Sequence, residues 1–218
     1  MMNKEAKKLY IEEMKKSFSS NESVMIAQYQ GLNVKELDKL RKELREKGII
    51  FKITKNRVTN AFDDCMTLSY KVDGEWHFHC YKCTTDPGTH WMANLLNEKG
   101  VAILKPGQYR GAYKIRKHQG KYDALCQRAP VKVYRDKNKD HVYDLTEDHV
   151  HEGIFGINIH RATAKKGGKS WRVDKWSAGC QVIASNDDWR EFLGVCRKAA
   201  GIWGNKFTYT LIESNDIV

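Results

Sequence analysis

The sequence predicts an α+β protein: a mostly-β domain of catalytic type with a closing helix, preceded by a small β-α-β-like segment. Three observations carry that expectation. All six Trp and all six Cys lie beyond residue 62, whereas residues 1–62 have neither and alternate Lys/Glu-rich helical stretches with short apolar runs. Past residue 62, apolar runs recur between turn residues at strand-like spacing. A single late stretch, 189–200, carries a helical period instead. These shifts divide the chain into 1–61, an incomplete domain that alone buries little and is marginal, and 62–218, within a 218-residue chain long enough to bury a real core.

The elements follow in order. Residues 3–18 place Leu9, Ile11, Met14 and Phe18 at helical spacing among charges. Residues 23–29 form an apolar strand ended by Gly31, and Asn33 caps a helix over 34–47 with Leu37, Leu40 and Leu44 in one stripe. Gly48 stops that helix before a strand at 49–53, which implies a β-α-β unit with its two strands parallel. In the second part, strands are expected at 66–72, 76–81, 101–104, 112–115, 131–134 and 154–159. Asp73-Gly74, Asp86-Pro87-Gly88 and Pro106-Gly107 punctuate them, and 84–88 and 108–111 read as turns. Asn186 or Asp187 caps the 189–200 helix, with Phe192, Leu193 and Cys196 on its core face, and 207–212 is the last strand.

Charge is uneven. The chain carries a net +11, and the first 62 residues hold 14 Lys+Arg against 8 Asp+Glu, which points to a polyanionic partner for that segment. No run reaches the apolar length of a membrane span. The opening Met1-Met2-Asn3-Lys4-Glu5 has no apolar signal region, so a protein cytoplasmic as synthesised is expected. Six cysteines in a chain of this size do not form a disulfide framework. Cys80-x-x-Cys83, behind His77 and His79, lacks a second pair at zinc-ribbon distance and reads as a half-buried strand. Asp136, Asn138, Asp140, Asp144 and Glu147 have calcium-loop spacing, but His141 stands where that loop requires Gly, so a polar hairpin tip is expected. His118, His149 and His151 lack partners at ligand spacing and are placed on the surface. Neither a metal nor a cofactor is expected.

The chemistry-bearing stretch runs from Gly156 to Val182. His160 follows an alternating run and projects from a strand end; Cys180 sits in Ser177-Ala178-Gly179-Cys180, where small residues let backbone N–H groups approach a reacting carbonyl. A thiol nucleophile needs a base beside it, and a histidine from a neighbouring strand supplies one. His, a polar loop, then Ser-x-Gly-Cys resembles the signature of the L,D-transpeptidase (YkuD-type) catalytic domain, and residues 62–218 look like phage-encoded proteins that carry it. The resemblance implies Cys180 as nucleophile, His160 as base, and Ser177 and Gly179 as the turn shaping the site. The partners it implies are peptidoglycan stem peptides, in acyl transfer or in hydrolysis during phage lysis, with holin-type release or virion delivery to reach the wall. The arginine the family tends to carry two residues past its cysteine is Val182 here, and Arg161 or Arg172 is assigned to hold the substrate instead.

Residues 3–60 resemble the start of the bacterial ribosomal stalk-base protein, the L-ten family of the large subunit. The likeness rests on Ala27-Gln28-Tyr29-Gln30-Gly31-Leu32, on the Glu36 to Arg45 helix and on Phe51-Lys52-Ile53-Thr54-Lys55-Asn56-Arg57. It implies contact with rRNA, with Lys52, Lys55, Asn56 and Arg57 facing phosphates. The rest of that family's globular domain is absent, which makes the chain a fusion. The alternative to a cysteine enzyme is then an rRNA- or ribosome-binding protein whose C-terminal domain is catalytically inactive.

Overall fold

The structure, a computed structural model, describes residues 25–30, 58–72 and 75–213, and the backbone alone at 25–30, 71–72, 75–76 and 213. It is mixed α+β, with strands outnumbering helix among the described residues. A closed barrel takes the order β1 (Met25–Gln30), β11 (Phe207–Glu213), β5 (Gly107–His118), β6 (Tyr122–Gln127), β9 (Ile159–Arg161), β10 (Gln181–Ile183), β3 (Glu75–Thr84) and β2 (Asp64–Val72). A second sheet, β4 (Val101–Leu104), β7 (Val131–Asp136) and β8 (Val150–Gly153), lies beside it. Two helices are described, the short α1 (Thr89–Ala93) and the long α2 (Asn186–Trp203). No helix among the described residues is long and apolar enough to cross a membrane.

The strands form where branched and aromatic residues alternate with polar ones, so that one face packs inward. In β2 the buried Met66 and Leu68 flank the half-exposed Thr67, and the register with β3 runs from Asp64 opposite Cys83 to Val72 opposite Glu75. The main core joins Met66, Leu68 and Tyr81 to Leu125, Ile159 and Ile183, with Trp189, Phe192 and Cys196 of α2 laid over it. Ser185 caps α2, its side chain accepting from the Asp188 N–H; the expected caps Asn186 and Asp187 lie one and two residues inside the helix.

Two expectations are corrected. The strand expected at 154–159 is not one: β8 ends at Gly153, β9 begins at Ile159, and Gly156 takes a left-handed φ of 76°. The physical reason is the buried Gln127, whose Oε1 accepts from the Phe155 and Ile157 N–H groups and whose Nε2 donates to the carbonyls of Ala129 and Gly153. One side chain thus replaces a ladder. Residues 108–111, expected as a turn, belong to β5, and β6 and α1 carry no strong sequence signal. In the first segment, strand β1 pairs in parallel with β11 and antiparallel with β2. The helices expected at 3–18 and 34–47, and the strand at 49–53, lie outside the described residues.

Cysteine and acidic positions also resolve. A disulfide joins Cys65 of β2 to Cys80 of β3, where sequence spacing gave no framework. Asn138 donates to both Asp140 and Asp144, and Glu147 pairs with Lys105, so the acidic loop is a self-bonded polar tip.

A candidate cysteine–histidine site

The parallel pairing of β9 and β10 brings the two expected reactive residues together. His160 opposes Val182, and Cys180 precedes Val182 by two residues. Opposed residues share a side of a sheet and alternate residues share a face, so His160, Val182 and Cys180 look the same way. The packing agrees. Cys180 packs against the cluster formed by Phe62, Ala162, Val173, Val182 and Ala184, while Ile159 and Ile183 belong to the main core. Two residues along the strand and one inter-strand step set their Cα atoms about 8 Å apart, within the combined reach of an imidazole and a thiol.

Cys180 is half-buried, and its Sγ lies 3.5 Å from the Asn158 N–H and 3.4 Å from the Gly156 carbonyl oxygen. Ser177, fully buried, accepts from the Gly179 N–H at 3.0 Å and donates to the Cys180 carbonyl at 2.8 Å, closing the turn on itself. Gly179 has φ 131°, and a Cβ there would stand 1.9 Å from the Ala102 carbonyl oxygen. Only glycine fits.

His160 is a member of strand β9, not its outlying end, and is buried. Its Nδ1 meets the Arg161 carbonyl at 2.9 Å. A carbonyl only accepts, so Nδ1 carries the proton and Nε2 keeps the basic lone pair. Burial and the neighbouring His118 push the imidazole down to about 4. Burial pushes the Cys180 thiol up to about 11, against the opposing pull of the Asn158 N–H. Thiol and imidazole are both neutral between those values. The pair can work as nucleophile and general base, without a standing thiolate–imidazolium pair.

Three residues that the sequence did not single out complete the surroundings. His118, expected on the surface, is buried and stacks on His160 with ring centroids 4.4 Å apart. Asn158 holds it: Asn158 Oδ1 accepts from the Gln127 N–H at 2.9 Å, which turns its amide nitrogen toward His118 Nδ1 at 3.1 Å. Tyr122 stands across the β5–β6 turn from His118, its hydroxyl 3.5 Å from His160 Nδ1. The signal that could have found Asn158 is its place two residues before His160; nothing local marks His118.

Of the two candidate substrate arginines, Arg161 lies beside the pair, its guanidinium 4.2 Å from the centre of the Tyr122 ring. Arg172 is exposed on the long β9–β10 connection, where its backbone bridges to Ala61. Lys52, Lys55, Asn56 and Arg57 lie outside the described residues. Among the described residues no group of three or more His, Cys, Asp or Glu is arranged to hold a metal ion.

Comparison with known proteins finds similarity in the first segment. The family model for ribosomal protein L10 matches residues 2–62. The chain is 59% identical over 58 residues to the large ribosomal subunit protein uL10 of Pelagibacter ubique, covering 27% of this chain and 35% of that protein. It is 40% identical over 65 residues to uL10 of Oceanobacillus iheyensis, covering 30% and 39%, and 44% identical over 55 residues to uL10 of Bacillus licheniformis, covering 25% and 33%. The chain therefore spans little more than a third of the length of these relatives. No solved structure matches it. None of these findings supports the transpeptidase resemblance of residues 62–218.

Proposed function

We propose that the barrel carries a cysteine-dependent acyl-transfer centre, fused to a ribosomal-protein-like segment that contacts RNA. The observation that carries the first half is the shared face of His160 and Cys180, with the His160 tautomer set by the Arg161 carbonyl. In the proposed step, Cys180 Sγ attacks a carbonyl carbon of a peptidoglycan stem as His160 Nε2 takes the thiol proton. The oxyanion falls to the Cys180 amide, because the Gly179 N–H is already given to Ser177. Collapse breaks the C–N bond, the imidazolium returns its proton to the leaving amine, and an acyl-thioester remains. An acceptor amine or water, deprotonated by His160, then attacks the thioester and restores the thiol. Arg161 and Arg172 are the candidate partners for substrate carboxylates. The test is release or exchange of stem-peptide fragments by the full chain. Cys180→Ala loses it with an unchanged melting curve; persistence of turnover in that variant defeats the proposal.

A second reading is an rRNA- or ribosome-binding protein with an inert barrel. The comparisons speak for it more than for the first, since the family model for ribosomal protein L10 matches residues 2–62. It assigns Lys52, Lys55, Asn56 and Arg57 to phosphates. Its signature is RNA affinity that weakens steeply with salt and drops when the three cations are neutralised. Undiminished affinity in that triple variant counts against it.

A further inference from the structure

The end of β9 and its connection to β10 carry more positive charge, and more exposed indole, than the proposed cysteine chemistry uses through Arg161 and Arg172. Arg161, Lys165, Lys166, Lys169, Arg172 and Lys175 outnumber the acids of the stretch, Asp174 within it and Asp187 and Asp188 of α2 at its border. Two indoles stand out of the same loop, Trp171 74% exposed and Trp176 44%. Lys169 Nζ lies 5.0 Å from the centre of the Trp171 ring. Trp176 and Lys175 line an open groove with His90, Thr89 and His141.

The loop is held, so these side chains are displayed from a fixed frame. The Ser170 N–H donates to the Ala184 carbonyl at 3.0 Å, and the Gly168 carbonyl accepts from the Asn186 N–H at 3.0 Å. Val173 is fully buried against Phe62, Ala162 and Val182. Asn60 Oδ1 accepts from the Asp174 N–H at 2.6 Å, and Asn60 Nδ2 donates to the Asp174 carboxylate at 2.7 Å. An indole left in water on an anchored loop contributes little to folding, because the gain from an aromatic side chain comes from burying it.

We propose that this loop binds single-stranded nucleic acid, with bases stacked on Trp171 and Trp176 and phosphates met by the surrounding cations. Flat rings interleaved with positive charge match a chain that alternates bases with one negative charge per nucleotide. The charge density favours it over an acidic sugar–peptide chain, whose carboxylates are more widely spaced. The proposal is independent of whether Cys180 is catalytic.

The test is fluorescence anisotropy of a labelled twelve-nucleotide oligouridylate with the full chain, from 50 to 300 mM NaCl, in a background where Lys52, Lys55 and Arg57 are Ala. For five phosphate contacts the logarithm of affinity should fall with that of salt at a slope of about −3.5. Trp171→Ala and Trp176→Ala should each weaken binding about tenfold with the slope unchanged, and Trp171→Phe should restore much of the loss. Affinity indifferent to both indoles, or equal binding of dextran sulfate at matched charge, leaves a bare cation patch and overturns the proposal. Quenching of the loop tryptophans by a disaccharide-peptide wall fragment but not by RNA assigns the loop to glycan and overturns it equally.

Discussion

The neutral state of the cysteine–histidine pair has a kinetic consequence. With its thiol near 11, Cys180 at pH 7.5 is thiolate in about 0.03% of molecules, whereas an ordinary cysteine near 8.5 is thiolate in about 9%. The deficit is roughly 300-fold. A more basic thiolate is more nucleophilic, with a Brønsted slope of about 0.45, which returns roughly tenfold. Iodoacetamide should therefore alkylate Cys180 some 20- to 30-fold more slowly than a model thiol at pH 7.5, and the rate should climb about tenfold per pH unit toward pH 10. His160→Ala should leave that climb in place, because an imidazole near 4 holds no positive charge beside the sulfur at neutral pH. The assay is intact-mass labelling with peptide mapping of Cys180 between pH 5 and 10; Cys83, Cys126 and Cys196 are buried and serve as slow internal references. A plateau of fast labelling between pH 5 and 7 that disappears in His160→Ala would mean a standing ion pair, and the burial argument would be wrong.

Three further outcomes are expected. Burial beside Asp86 and Asp63 pushes Asp64 up to about 8, so the folded state holds its proton more tightly than the unfolded chain. Stability is then greatest below the unfolded value near 4 and falls by up to about 1.4 kcal/mol per pH unit as pH rises toward 8. Asp64→Asn should flatten that loss in urea melts between pH 5 and 8, and a variant that keeps the full slope refutes the assignment. Gly179→Ala should lower the melting temperature sharply, since the new Cβ meets the Ala102 carbonyl oxygen at 1.9 Å. Gly201→Ala, inside α2 with nothing within 4 Å of a Cβ, should raise stability by about 0.5–1 kcal/mol. Gln127→Ala removes partners from four backbone groups and should cost several kcal/mol, on the order of 1–3 for each group left buried and unbonded; a loss under 1 kcal/mol would mean that water replaces the side chain.

Signals carried by neighbouring residues were legible. The run at 101–104 is β4 itself, 207–212 lies in β11, and 189–200 lies in α2 with Cys196 buried, because alternation and helical period are local properties of the chain. That His160 and Cys180 come from neighbouring strands was also legible, because the histidine sits in an apolar run and the cysteine follows a small-residue turn just before the next strand. What failed depended on distant partners. The alternating 154–159 run loses its strand to Gln127, 27 residues before it, and His118 is drawn inside by Asn158 and His160, some 40 residues away in sequence.

Strand β1 shows why composition and topology divide the chain differently. The shift in Trp, Cys and charge at residue 62 separates two sequence styles, and the ribosomal match ends there as well. Yet Met25–Gln30, inside the matched stretch and among the residues that carry its likeness, closes the barrel between β11 and β2. A strand has two hydrogen-bonding edges, and an open barrel leaves two more unpaired. Composition separates two sequence styles; which edges are satisfied is decided only when both parts fold together. For the six residues of β1 the second constraint prevails, and the ribosomal-like segment contributes a structural strand to the barrel that holds Cys180 and His160.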